Sequence, residues 1–255
     1  MSSLQIKTNT GDVIEFASED IDRLAARLRG VLIRPSGHDY EDARHVYNAM
    51  HDRRPALIVR AANVADVMAA VRFAAEHKLV LSLRGGGHSV PGFGTCDEGL
   101  VLDLGALKGL RVDPEKRTAR AQGGCTWGDF NHATHAFGLA TTGGIVSTTG
   151  IAGLTLGGGM GYLTRAHGLS CDNLISADVV TAEGGFITCD EKRNADLFWA
   201  IRGGGGNFGA VTSFEYQLHP LVEVFGGPTF YEIDGEVFRN YERLMAEAPE
   251  ELGVI

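Results

Sequence analysis

The chain has 255 residues, 44% of them hydrophobic and 22% charged, a composition that excludes extended disorder and leaves room for one large domain or two smaller ones. Its net charge of −9, from 23 basic and 32 acidic residues with no dense Lys/Arg block, argues against nucleic acid as a partner. The N-terminal stretch "MSSLQIKTNTGDVIEF" lacks the pattern of a signal peptide, and no apolar run of about 18 residues occurs, so neither secretion nor membrane insertion is signalled and a cytoplasmic location is expected.

Residues 1–52 carry a short helical pattern, "SEDIDRLAARLRG", with Leu24, Ala25 and Leu28 on one face and Ser18 as its cap. A polar stretch with Tyr40, Tyr47 and Met50 follows, and the segment reads as an arm leading into the main domain. "PALIVRA" (55–61) predicts a strand, and Asn63 caps a helix in which Val67, Ala70, Val71 and Ala74 recur at helical spacing. The strand "LVLSL" then runs into "RGGGHS", so the order is β-α-β and a parallel sheet is expected.

"GLVLDLGAL" and "GLRVDPEKRTARAQGG" read as strands, the latter folded at Asp113-Pro114, and "TWGDFNHATHAFG" as a helix opening after Thr126. Residues 143–161, "GGIVSTTGIAGLTLGGGMG", are small, apolar and uncharged; a loop of that composition is costly in water and should be buried against something other than ordinary core. "LISADVVTAEGGFITC" predicts a hairpin turning at Gly184-Gly185, Asn194 caps a helix over "ADLFWAIR", and "AVTSFEYQLHP" closes the unit as a strand. Beyond Pro220 a new strand-then-helix segment is expected.

Several patterns point away from familiar chemistry. Cys96, Cys125, Cys171 and Cys189 have no C-x-x-C pair or zinc-ligand spacing and read as free, mostly buried thiols. Gly204-x-Gly206-x-x-Gly209 follows a helix and precedes a strand, the reverse of the dinucleotide fingerprint's context. His132 and His135 share a helix without a third ligand and read as surface histidines, no metal is expected, and no G-x-S-x-G elbow supports a hydrolytic triad.

Thirty-five glycines, about twice the usual share, gather at 85–87, 143–144, 157–161 and 203–209. Glycines that follow a strand let consecutive N–H groups face an anion, so 85–87 can form a pyrophosphate nest with His88 pointing along the ligand. Taken alone, the same cluster is equally a glycine turn with a solvated histidine.

The motifs together are more specific. "RGGGHSVPGF" (84–93), "ARAQGGCTWGDF" (119–130), "GGIVSTTGIAGLTLGGGMGYLTRAHGLSCDNL" (143–174) and "LFWAIRGGGGNFGAVTSFEYQLHP" (197–220), in this order, resemble the FAD-binding domain of the vanillyl-alcohol oxidase/p-cresol methylhydroxylase (PCMH) superfamily. The likeness is to its berberine-bridge-enzyme-like and 6-hydroxy-D-nicotine-oxidase-like oxidoreductases. It implies an α+β fold: an arm (1–52), a PCMH-type FAD-binding domain of two α/β subdomains (53–222), and the beginning of a substrate-binding domain (223–255).

The resemblance also implies site roles. Arg84, Gly85, Gly86, Gly87, His88 and Ser89 correspond to the loop around the FAD pyrophosphate, with His88 where the family bonds the flavin 8α-methyl carbon. Val146, Ser147, Thr149, Gly150 and Gly153 would lie near the isoalloxazine or pyrophosphate, Gly158 and Gly161 would allow close approach, and the backbone around Val211 would meet the adenine end. Relatives that attach flavin twice use a cysteine at the position of Val146, so a single histidyl bond is expected; Cys171 reads as packing. Tyr162 and His167 lie in the right cluster, but the family's catalytic base falls beyond residue 255.

The implied reaction is oxidation of an alcohol, sugar or amine by hydride transfer to flavin, with oxygen as the final acceptor and FAD as the cofactor. The alternatives are an FAD-binding fragment without activity of its own and a noncovalent FAD dehydrogenase of the same superfamily.

Overall fold

The computed structural model describes residues 3–221 and 223–254; Val222, the expected domain boundary, lies outside them. The chain opens with an antiparallel hairpin of β1 (Leu4–Lys7) and β2 (Val13–Phe16). Helix α1 (Ser18–Arg27) follows, and its N-cap is Ala17 rather than Ser18, which is already the first helical residue. Next come β3 (Val31–Ile33), α2 (Tyr40–Arg44), β4 (Leu57–Arg60), α3 (Val64–Glu76), β5 (Leu81–Arg84) and β6 (Leu100–Asp103).

These strands form a sheet of order β3-β4-β6-β5 in which β4, β6 and β5 are parallel and β3 runs antiparallel at the edge. The fully buried runs of β4 and β6 reflect a sheet covered on both faces. Asn63 caps α3 as expected, its side chain accepting from the Asp66 N–H. Because β3 is hydrogen-bonded to β4, and Ile6, Phe16 and Ile21 enter the same core, the segment 3–52 is woven into this subdomain.

The second subdomain runs through β7 (Leu110–Asp113), β8 (Thr118–Gln122), α4 (Trp127–His135), β9 (Leu139–Ala140), α5 (Ile151–Leu156) and α6 (Thr164–His167). It continues through β10 (Leu174–Val180), β11 (Phe186–Asp190), α7 (Ala195–Ala200), β12 (Ala210–Gln217) and β13 (His219–Pro220). Its main sheet is antiparallel throughout, ordered β11-β10-β12-β8-β7. In its core Trp127 and Tyr216 meet Phe130 edge to face, Trp127 is tilted against Tyr216, and Phe214 stacks on Tyr216; the Tyr216 hydroxyl lies 2.7 Å from Thr155 Oγ1. Val180 and Ala210, at the ends of β10 and β12, enter the first core and join the two subdomains.

Three local readings are corrected. The uncharged stretch 143–161 is not all loop: Ile151, Ala152, Thr155 and Leu156 recur at helical spacing, bury one face, and make α5. Asn194 precedes α7 with left-handed backbone (φ 48°, ψ 48°), and its amide donates to the Thr188 carbonyl instead of capping the helix. The described residues after Pro220 contain no strand, only α8 (Gly235–Glu247), capped by Asp234. No helix among the described residues is long and apolar enough to cross a membrane.

Candidate cofactor site

The glycine loop starts where β5 ends, at the carboxyl edge of the parallel strands, the place where open α/β sheets receive ligands. Arg84 is buried there, and its guanidinium donates to Asp103 Oδ2 at 3.0 Å, the Ala43 carbonyl at 2.6 Å and the His45 carbonyl at 3.4 Å. Its side chain therefore fixes the loop's base and ties it to the arm, leaving only its backbone to face a ligand. Beyond it, the N–H groups of Gly86, Gly87 and His88 meet no acceptor among the described residues. An anion would satisfy them.

His88 is half-buried at the tip of this loop. Its Nε2 lies 3.0 Å from Thr148 Oγ1 and its Nδ1 3.4 Å from Thr149 Oγ1, while the Tyr47 ring stacks on it with centroids 4.0 Å apart and planes 15° apart. Burial holds the imidazole below its ordinary pKa, so its neutral, nucleophilic form prevails at neutral pH. Ser89 turns the chain away: its hydroxyl accepts from the Phe93 N–H and its carbonyl from the Gly92 N–H.

Loop 143–150 crosses over this loop at backbone distance. A Cβ on Gly86 would lie 2.3 Å from Gly150 N, and one on Gly150 would lie 2.4 Å from Gly86 N, so both positions require glycine. The Thr149 carbonyl accepts from the Trp127 N–H and the Ser147 carbonyl from the Gly128 N–H, which anchors the crossing segment to α4. The α4 N-terminus is itself fixed by a capping box between Thr126 and Asp129.

Around this crossing, side chains that favour burial are exposed. Ile145 (51%), Val146 (42%) and Met160 (68%) face outward from the uncharged segment, as a surface completed by an apolar ligand would. Gly153, on α5, has nothing within 4 Å of where its Cβ would be, so nothing inside the chain demands glycine there. Gly158 adopts φ +103° and lets Cys171 N–H reach its carbonyl. Gly161 packs on Gly143, whose carbonyl would be 1.8 Å from a Cβ.

Val211 buries its side chain in the second core; its carbonyl faces Gly123, where a Cβ would come within 2.6 Å. Tyr162 is exposed, and His167 stacks on His219 with centroids 3.8 Å apart. His132 and His135 are exposed on α4, and all four cysteines are free and buried. Tyr47 and Thr148 are the site residues that motif reading overlooks; the one signal for Tyr47 is an aromatic in an otherwise polar stretch.

These features suit a flavin nucleotide: unpartnered N–H groups for the pyrophosphate, an uncharged exposed strip for the ring, and a glycine helix face open to close approach. Comparison with known proteins agrees. The FAD binding domain family matches residues 55–190. FAD-linked oxidoreductase pgmH of Aspergillus terreus is 41% identical over 89% of this chain and 46% of its own length. (R)-6-hydroxynicotine oxidase of Paenarthrobacter nicotinovorans is 39% identical over 76% of this chain and 42% of its own length.

Among solved structures, 6-hydroxy-D-nicotine oxidase from Arthrobacter nicotinovorans superposes with a TM-score of 0.74 at 39% identity, covering 76% of this chain and 43% of that one. Physcomitrella patens BBE-like 1 also gives 0.74, at 32% identity, covering 78% and 44%. The chain thus spans somewhat under half the length of these relatives. It belongs to the FAD-binding-domain family of the vanillyl-alcohol oxidase/p-cresol methylhydroxylase superfamily.

Proposed function

We propose that this chain is the flavin-holding part of an FAD-dependent oxidoreductase of the oxidase type, with one covalent bond from His88 to the flavin 8α carbon. The observation that carries the reading is His88 itself: a neutral imidazole on a glycine loop, held by Thr148, Thr149 and Tyr47 beside an exposed uncharged strip. In this reading Gly85 to Ser89 receive the pyrophosphate, and Val146, Ser147, Thr149, Gly150 and Gly153 meet the ring or its linker. Gly158 and Gly161 shape the close approach, and the Val211 backbone meets the adenine end.

When bound, the flavin supplies the acceptor for a hydride from a C–H bond beside an alcohol, sugar hydroxyl or amine, and dioxygen takes the electrons onward. Relatives named for a hydroxynicotine and for xylooligosaccharides suit a small-molecule substrate of that class. The chain's own contribution is to bind, orient and exclude water. The substrate's proton goes to a base outside 1–255, and residues 223–255 begin the substrate-binding domain that supplies it, after an FAD-binding domain over 53–222 and an arm over 1–52. The exposed Ile145, Val146, Met160 and Tyr162 favour a second statement: this stretch alone binds FAD without turning over. Four free, buried thiols suit a reducing, cytoplasmic setting.

The test is acid denaturation of the purified chain followed by mass analysis of the peptide containing His88. A flavin adduct on that peptide, lost in His88→Ala while some noncovalent FAD remains, is the expected result. Flavin wholly in the supernatant of the unmutated chain overturns the covalent bond and leaves the noncovalent dehydrogenase.

A further inference from the structure

The arm over residues 47–53 is fastened along the His88 loop. Tyr47 N–H donates to the Gly87 carbonyl at 3.1 Å. Asn48 Nδ2 donates to the Val90 carbonyl at 3.2 Å, and His51 Nε2 lies 2.8 Å from the same oxygen. Arg53 Nη1 donates to the Gly92 and Thr95 carbonyls at 3.1 and 2.9 Å. This seam places the Tyr47 ring flat on the imidazole of His88.

The Tyr47 ring gains little else from being there. It is 69% exposed, so it fills no core and leaves no cavity when removed. Its backbone anchor to Gly87 needs no side chain. What the ring does is close one face of the imidazole, while Thr148 and Thr149 sit at its two nitrogens and fix rotation in the ring plane. Among the described residues, Tyr47 is the ring that stacks on the face of the His88 imidazole, where it bears on the tilt that the two threonines at the ring's edge leave open.

We propose that Tyr47 is a positioning residue for His88, holding the imidazole plane in the orientation in which it bonds to flavin. This rests on the covalent reading above. On that reading the imidazole forms one N–C bond and gives up its N–H proton, the 8α-methyl gives up one hydrogen, and the two electrons released leave on dioxygen as hydrogen peroxide. Positioning acts on the rate of this bond because a nucleophile held at the attack geometry loses no further freedom on reacting.

The test compares Tyr47→Ala and Tyr47→Phe with the unmutated chain by two readouts. The first is the rate at which added FAD becomes acid-stable on the His88 peptide. Tyr47→Ala should be about tenfold slower, while Tyr47→Phe, which keeps the ring, stays within about twofold. The second needs no flavin: in the apoprotein the ring current of Tyr47 should displace the His88 Cε1–H resonance, a displacement kept by Phe and lost with Ala. Equal attachment rates in the Ala variant, or an unmoved resonance, would overturn the proposal. If the unmutated chain attaches no flavin, the covalent reading fails, and the resonance alone then decides whether Tyr47 orients His88.

Discussion

Gly86, Gly150 and Gly153 are chemically identical, but the structure gives them different jobs. At Gly150 a methyl group meets Gly86 N at 2.4 Å, backbone against backbone, with no flexible side chain to yield. Gly150→Ala should lower stability by about 1–3 kcal/mol and weaken FAD binding with it, both seen by thermal melting with and without FAD. At Gly153 a methyl group meets nothing, and alanine is the better helix former by about 0.5–1 kcal/mol. Gly153→Ala should therefore melt slightly higher without ligand yet bind FAD more weakly in a fluorescence titration; unimpaired binding would remove α5 from the site. A glycine cluster in sequence announces close approach without saying whether protein or ligand approaches. That distinction, like the pairing of Tyr47 and Thr148 with His88, belongs to contacts between residues far apart in the chain.

Elements with local signatures were readable: the capping residues Asn63 and Thr126 sit where composition puts them, and the β-α-β order does give parallel β4, β6 and β5. The failures have physical causes. Helix α5 hides because its outward residues, Gly153 and Leu154, are no more polar than its buried ones, so no alternation of polar and apolar residues marks it. Residues 223–234 are rich in aromatic and β-branched residues (Val224, Phe225, Thr229, Phe230, Tyr231, Ile233) that favour a strand, yet among the described residues no strand pairs with them. Asp66 shows how much one side chain can bind elements together: its carboxylate accepts from the N–H groups of Arg29, Gly30 and Ala62, joining the α1–β3 connection to the start of α3. It is almost fully buried. Asp66→Ala strands three donors and should cost about 3 kcal/mol, measured by denaturant midpoint, with Asp66→Asn intermediate because its amide keeps one accepting oxygen.

Over the whole molecule, His88 and His219 make stability depend on pH. Burial lowers the pKa of His88, and burial together with the charge of the neighbouring His167 lowers that of His219. The unfolded chain therefore takes up protons before the native one does. The neutral-histidine contribution is complete above the ordinary value of 6.5 and declines as pH falls below it toward the lowered native values. The melting temperature should fall between about pH 7.5 and pH 5.5, and His219→Gln, which removes one titrating ring, should flatten that fall.

The strand order β11-β10-β12-β8-β7 also carries a consequence for how the chain is made. Strand β12 lies between β10 and β8, yet it is the last of the five to be synthesised. Until residues 210–217 leave the ribosome, β8 and β10 each present an open edge with its N–H and C=O groups unpaired. The first subdomain's sheet, complete by residue 103, can form long before. A nascent chain halted short of β12 would thus carry a completed parallel sheet on one side and two adhesive strand edges on the other, the interval in which it is most open to misassociation.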